Sequence, residues 1–296
     1  MELRRCIAAR GPALLGLAAL AFAAQASGQR PELWLLPREL RLEEPPHPVP
    51  PGAPHLVALP APGARGHVLF LHGWRSCARA VLYAGPTRCA RGLAAQPGMG
   101  LGTAHLAAES RTTLLVPQLA FRARDGSAGR FVRRGYAEAL IDDVAPELGA
   151  ARGLPVIVMA HSAGYEAALS VLHRGDLGTR VAAVVLFDAL YGGTEAFLAW
   201  ARAHPAGELI SVHGRGRTER ESRRLRTRAR AAGLPVATAL AGEARVRTIA
   251  TTAAHGDVPA AHLASMLRHL AASGRLAAHG AGAPGDGSGA EGASSP

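Results

Sequence analysis

Short, almost wholly apolar runs recur along this chain, and segments with helical spacing separate most of them. The runs are HLVALP (55–60), HVLFLHG (67–73), TTLLVPQL (112–119), LPVIVMAHS (154–162), VAAVVLFDAL (181–190), GELISVHG (207–214) and VRTIATTAAHG (246–256). Continuous apolar strands that alternate with helices are typical of a parallel sheet covered on both faces. The pattern predicts one α/β domain over residues 54–272, with a mostly parallel central sheet and helices on both faces.

The two ends of the chain differ from this pattern. Residues 1–26 combine three arginines, the apolar run GPALLGLAALAFAA and a small-x-small site at Ala24-Gln25-Ala26. These are the regions of a secretory signal peptide, although an uncleaved anchor remains an alternative. Residues 27–53 are rich in proline and predict an extended arm, and residues 273–296 predict a disordered tail. We therefore expect a secreted or periplasmic protein.

Export changes how the cysteines are interpreted. Cys77 and Cys89 are the only two that remain after residue 26. In an oxidising compartment such a pair favours a disulfide, which would stabilise the fold by about 3 kcal/mol in the chain-entropy model. Two unpaired buried thiols are the alternative.

The strongly basic composition is weak evidence for a binding partner. The net charge is +11, but all 33 basic residues are arginine. Lysine and asparagine are both absent, a composition that GC-rich coding would produce. We expect no nucleic-acid partner. The segment Arg215–Arg230 holds eight arginines in 16 residues. It is either a solvated helix face or a patch for weak contact with anionic surfaces.

The segment around Ser162 carries the most specific motif. An apolar strand over 154–159 runs into Ala160-His161-Ser162-Ala163-Gly164, and an amphipathic helix follows at once. This resembles the nucleophile elbow, G-x-S-x-G, of the α/β-hydrolase superfamily, with Ala160 in place of the first glycine. The resemblance implies that Ser162 is the nucleophile of a serine hydrolase. A serine that only caps a helix is the alternative.

A second motif lies upstream, where the strand HVLFLHGW ends in His72-Gly73-Trp74. In the family that the elbow resembles, an H-G pair here shapes a loop whose backbone N–H binds the oxyanion. The resemblance implies that the oxyanion donors are the N–H groups of Trp74 and Ala163. An ordinary turn at the end of a strand is the alternative.

The superfamily order of nucleophile, acid and base selects among 13 histidines. His255 follows the last predicted strand and is our candidate base, with His213 as its competitor. His262 and His269 lie on the closing helix and are expected at its surface or in its packing. A metal site of His255, Asp257 and His262 matches no tight ligand spacing, so we expect neither a metal nor a cofactor.

The candidate acid is Asp188, at the end of the strand that follows the elbow's helix. The loop after the next strand, where the superfamily usually carries its acid, contains no aspartate. Asp188 would orient His255 rather than take its proton. Glu219 is the alternative acid, and Asp188 could instead be a capping or turn residue.

These features predict an exported serine hydrolase that cleaves a carboxylic ester, or an amide, through an acyl-enzyme. An amidase or peptidase acting on cell-envelope material is the nearest alternative. A non-catalytic binding protein on the same fold is the alternative from another class.

Overall fold

The computed structural model describes residues 36–276. Its strands are β1 (Arg38–Leu40), β2 (Leu56–Leu59), β3 (Gly66–Leu71), β4 (Thr87–Arg88), β5 (Ala95–Gln96), β6 (Thr112–Pro117), β7 (Val156–His161), β8 (Val181–Phe187), β9 (Glu208–His213), β10 (Val236–Ala237) and β11 (Val246–Ala250). Its helices are α1 (Ala78–Leu82), α2 (Leu101–Leu106), α3 (Tyr136–Val144), α4 (Tyr165–Arg174), α5 (Thr194–Ala203), α6 (Arg217–Ala231) and α7 (Val258–Ala272). The predicted signal peptide, 1–26, and residues 277–296 of the predicted tail lie outside the described residues.

Nine of the strands form one sheet in the order β1-β2-β6-β3-β7-β8-β9-β11-β10. β2 runs antiparallel to both of its neighbours, and every other pair in the sheet is parallel. The strands β4 and β5 form a separate antiparallel pair. The predicted fold class, a mostly parallel central sheet in a single domain, is confirmed.

Helices cover the sheet on both faces, as predicted. The strand β7 shows why, because its side chains alternate between two apolar cores. Val156 and Val158 pack into the core beneath α3, α4, α5 and α6. Ile157 and Met159 pack into the core beneath α1, α2 and α7. A strand that is buried on both faces must be apolar at every position, which explains the continuous apolar runs of the sequence.

The predicted disulfide between Cys77 and Cys89 is present. Both residues are buried, and they pack against Ala80, Leu93 and Phe121. Cys77 also caps α1, because its sulfur accepts a hydrogen bond from the N–H of Ala80. The bridge therefore holds the segment that directly follows the His72-Gly73-Trp74 loop.

The sheet extends into the segment predicted as an arm. Arg38–Leu40 forms the edge strand β1, which pairs with β2 through backbone hydrogen bonds. Its sequence, REL, carries no apolar pattern, although Leu40 packs against the core and Glu39 pairs with Arg79 of α1. At the other end, Leu276 is buried although it lies beyond the predicted boundary at 272. Within residues 36–276, no helix combines the length and the apolarity needed to cross a membrane.

Candidate active site

Ser162 lies at a sharp turn between β7 and α4. Its backbone is left-handed, with a φ of 54°, an arrangement that costs a non-glycine residue roughly 1–2 kcal/mol. Gly164 allows the turn to pass close to β3, since a Cβ there would lie 2.1 Å from the carbonyl oxygen of Leu71. Ala160 has an ordinary strand conformation and is buried. The missing first glycine of the motif therefore imposes no strain, because position 160 does not need a positive φ.

The structure brings Ser162, His255 and Asp188 into one chain of hydrogen bonds. Ser162 Oγ lies 3.0 Å from His255 Nε2, and His255 Nδ1 lies 2.7 Å from Asp188 Oδ2. An ionised carboxylate only accepts, so Nδ1 carries the proton and Nε2 accepts from the Ser162 hydroxyl. His255 comes from the turn after β11, and its side chain is 45% exposed to solvent.

Asp188 directly follows β8 and is held from several sides. Its Oδ1 accepts hydrogen bonds from the N–H of Gly214, at 2.9 Å, and from the hydroxyl of Thr218. Burial alone would raise its pKa, but the hydrogen bonds from His255, Thr218 and Gly214 outweigh burial and lower the pKa to about 2. The group is therefore a carboxylate throughout the neutral range.

Gly214 and Thr218 were missed by sequence analysis. Both belong to the segment after β9, which lacks an aspartate and instead donates hydrogen bonds to Asp188. Thr218 lies in the first turn of α6. A hydroxyl near the end of a strand is only a weak signal of a functional residue. No pattern in the sequence connects it to a carboxylate 30 positions earlier.

The alternative acid, Glu219, and the alternative base, His213, make other contacts. The carboxylate of Glu219 pairs with Arg223, one turn later on α6. His213 Nδ1 lies 3.0 Å from the carbonyl of Gly214, so its ring bonds the backbone rather than Ser162. The rings of His262 and His269 bond Thr251 and Glu208. Within residues 36–276, no cluster of three or more His, Cys, Asp or Glu side chains could hold a metal ion.

The loop after β3 lies against Ser162. A Cβ on Gly73 would lie 2.6 Å from the Cβ of Ser162, so only glycine permits this approach. The N–H of the next residue, Trp74, has no hydrogen-bond acceptor among residues 36–276. Ala163, the other predicted donor, is buried in the turn that follows Ser162.

Comparisons with known proteins found no matching family model and no matching curated relative. Several solved structures resemble the chain. A soluble variant of monoglyceride lipase from Saccharomyces cerevisiae is 11% identical, with a TM-score of 0.42, over 78% of this chain and 96% of that one. An arylesterase is 12% identical, with a TM-score of 0.43, over 89% and 98%. An S-formylglutathione hydrolase from Agrobacterium tumefaciens is 12% identical, with a TM-score of 0.43, over 74% and 89%.

The order of the strands and helices in this chain identifies its fold. A strand–turn–helix presents Ser162 at the carboxyl edge of a mostly parallel sheet, and Asp188 and His255 follow in that chain order. The chain has the α/β-hydrolase fold. The loop after β3 and the turn after β7 meet at Ser162.

Aromatic side chains surround the site of this α/β-hydrolase fold. The ring of Tyr191 lies 6.3 Å from that of His255, edge to face, and the ring of Tyr165 lies 6.4 Å from that of Tyr191. Trp74 is 52% exposed, which is unusual for so large an apolar side chain. The two tyrosine rings offer apolar surface beside His255.

The arginine-rich segment forms most of α6. Its buried side packs Leu225 and Ala229 into the core, and its arginines lie mainly on the solvent side. Arg223 pairs with Glu219, while Arg224 lies 3.7 Å from Glu195. The helix therefore presents a positively charged face that acidic residues only partly neutralise.

Proposed function

We propose that this protein is an exported serine hydrolase that cleaves carboxylic esters through an acyl-enzyme intermediate. The observation that carries the proposal is the continuous chain of hydrogen bonds from Ser162 through His255 to Asp188. Nucleophilic catalysis by serine needs an imidazole within reach, held by a third group. The strained turn at Ser162 and the close approach of Gly73 further support it.

In the proposed reaction, Ser162 Oγ attacks the ester carbonyl carbon and its proton passes to His255 Nε2. The N–H groups of Trp74 and Ala163 bind the oxyanion of the tetrahedral intermediate. His255 then gives its proton to the departing alkoxide, which leaves as an alcohol. Water attacks the acyl-enzyme, loses a proton to His255 and releases the carboxylic acid. The proton returns to Ser162 Oγ, and the enzyme is regenerated.

Export is supported by two features. The disulfide Cys77–Cys89 is the kind of bond that persists in oxidising compartments. Residues 1–26 have the composition of a signal peptide, which we propose is removed before the enzyme acts. The domain that remains would extend on both sides of the sequence-based limits, to include β1 and Leu276.

The test of the proposed function is covalent labelling by a fluorophosphonate, which phosphonylates activated serines. We expect about one label per protein, because Ser162 is the one serine among residues 36–276 whose hydroxyl bonds a histidine ring. Mass spectrometry of the tryptic peptide 153–174, with fragmentation to separate Ser162 from Ser170, locates it. Heat-denatured protein is the control and should not react. No label, or a label outside Ser162, contradicts the proposal.

The substrate class is tested with acetate to dodecanoate esters of p-nitrophenol and matched p-nitroanilides. We expect the esters to be cleaved faster, because an alkoxide or phenoxide leaves more readily than an amide nitrogen. Faster turnover of the anilides would favour the amidase alternative. Binding without turnover would favour a non-catalytic role.

We propose that the charged face of α6 makes weak contact with anionic surfaces. Composition sets the average frequency of arginine, 33 in 296 residues, but does not explain eight within the 16 residues Arg215–Arg230. Arginines near an anionic bilayer contribute about 1 kcal/mol each at low salt. Co-sedimentation with anionic but not zwitterionic vesicles, weakened by salt, is the expected result. Equal sedimentation with both vesicle types would contradict it.

A further inference from the structure

Three strands that carry the site lead into a buried histidine at their carboxyl ends. His161 ends β7, His213 ends β9, and His72 comes directly after β3. Each ring is at least nine-tenths buried, and each donates to a backbone carbonyl of the site. We propose that these three histidines are positioning residues, and that each fixes the backbone of one part of the catalytic machinery. The proposal rests on the proposed function.

His72 holds the oxyanion loop. Its Nε2 accepts from the N–H of Leu119 at 3.0 Å, so the proton is on Nδ1, which donates to the carbonyl of Gly73 at 2.9 Å. In a trans peptide the C=O and the next N–H point in opposite directions. Fixing the Gly73 carbonyl therefore fixes the direction of the Trp74 N–H, the proposed oxyanion donor.

Gln118 also contacts the ring of His72. Its side-chain amide lies 3.1 Å from His72 Nε2, and its side-chain oxygen accepts from the N–H of Ala78 at 2.9 Å. Ala78 follows Cys77, so the oxyanion loop is connected through Gln118 to the disulfide. The ring of His72 is thus held on both nitrogens, which leaves it a single orientation.

His161 holds the base. Its Nε2 donates to the backbone carbonyl of His255 at 2.9 Å, and the two rings lie 4.7 Å apart. Its Nδ1 is buried with no partner among residues 36–276, so the proton is on Nε2. Because His161 directly precedes Ser162, this bond ties the residue beside the nucleophile to the backbone of the base. Two hydrogen bonds therefore fix the separation of Ser162 and His255: the one between their side chains and the one from His161 to the His255 carbonyl.

His213 orients Gly214, which donates a hydrogen bond to Asp188. Its Nδ1 donates to the carbonyl of Gly214 at 3.0 Å, and the N–H of Gly214 donates to Asp188 Oδ1 at 2.9 Å. Gly214 is thereby held at both its N–H and its C=O. The carboxylate of Asp188 keeps its orientation toward His255 as long as this loop keeps its place.

Neutral rings suit this task better than charged ones. Burial lowers the pKa of both His72 and His161 to about 4. A cation 4.7 Å from His255 would oppose the imidazolium that forms during the reaction. Imidazole can hold a carbonyl and remain neutral at neutral pH, which an ammonium or guanidinium cannot.

The test compares His161→Met with His161→Gln. Methionine is of similar length but lacks a donor, whereas the glutamine amide can still reach the carbonyl of His255. We expect methionine to lower kcat by about 10- to 100-fold, because a shift of 1 Å in a catalytic group can cost that much. KM should change less than twofold, and glutamine should restore kcat to within about fivefold. Each kcat is expressed per serine titrated with fluorophosphonate.

His72→Met and His213→Met should give the same division between kcat and KM. His105→Met is the matched control, because His105 on α2 is equally buried and bonds Thr112 at the start of β6, away from the site. It should lose stability but keep kcat. Wild-type levels of kcat in the three methionine variants would overturn the inference, as would a glutamine variant as impaired as His161→Met. An unreactive wild-type protein would instead contradict the proposed function.

Discussion

Replacing Ser162 with alanine is expected to lower kcat/KM for a cleavable ester by about 10⁴- to 10⁶-fold. The Ser162 hydroxyl is the group that bonds His255 Nε2, so its loss leaves the base without a nucleophile to activate. What remains is binding and the oxyanion donors, which supply only a small part of the rate. Initial rates with a p-nitrophenyl ester, and the loss of fluorophosphonate labelling, measure the effect.

A second variant, Ser162→Gly, controls for damage to the fold. Both variants lack the hydroxyl, but glycine relieves the strain of a φ of 54° whereas alanine retains it. We therefore expect the glycine variant to exceed the alanine variant by about 1 kcal/mol in free energy of unfolding. Substantial activity in either variant would exclude Ser162 as the nucleophile. Equal stability would argue against a strained turn.

Replacing Asp188 with asparagine is expected to lower kcat by about 10⁴-fold. The hydrogen bonds from Gly214 and Thr218 require an acceptor at the Oδ1 position, so they fix the amide oxygen there. The amide NH₂ then takes the Oδ2 position and faces His255 Nδ1. A donor there forces the imidazole proton onto Nε2, the nitrogen that must accept the proton of Ser162. Steady-state kinetics of the purified variant measure the loss.

The control for this change is Glu219→Gln, on the carboxylate that pairs with Arg223 at the surface of α6. It should retain kcat within about twofold, because a surface ion pair contributes little to stability and lies away from His255. The reverse result, an active Asp188→Asn and an inactive Glu219→Gln, would show that another carboxylate orients the base.

The pH dependence of stability offers an independent measurement on the same residue. The folded-state pKa of Asp188, about 2, lies below its ordinary value of 3.8. A depressed pKa adds stability that is complete above pH 3.8 and is lost as the pH falls toward 2. The shift corresponds to roughly 2 kcal/mol. Asp188→Asn should remove this part of the acid sensitivity, as urea unfolding between pH 2 and 5 can show.

The sequence was most informative where one short segment contained every residue that the prediction needed. Around Ser162, a buried strand, a tight turn and a helix are adjacent in the chain, so a short segment was sufficient to show the resemblance to the nucleophile elbow. The order of elements then placed Asp188 and His255 at the same edge of the sheet. Both inferences combine periodicity and chain order with the resemblance of Ala160–Gly164 to the G-x-S-x-G motif of the α/β-hydrolase superfamily.

What could not be predicted depends on contacts between distant residues. The edge strand β1 depends on backbone pairing with β2 and on the contact of Glu39 with Arg79, 40 residues later, so its own sequence gives no sign of it. Thr218 and Gly214 find Asp188 only after the sheet has formed. His72 and His161 are two of 13 histidines, and nothing in their neighbours indicates which rings are buried against a carbonyl.

The three groups of the site come from very different positions in the chain. Ser162 and Asp188 flank one helix and end the neighbouring strands β7 and β8, whereas His255 comes 67 residues after Asp188. Domains emerge from synthesis with the N-terminal part first. A chain that stops before β11 carries the proposed nucleophile and acid, yet it lacks the proposed base, as well as β11 and the helix α7 that packs into one of the two cores. If His255 is the base, as proposed, the growing chain acquires hydrolytic activity only after its last strand and the following turn have been made.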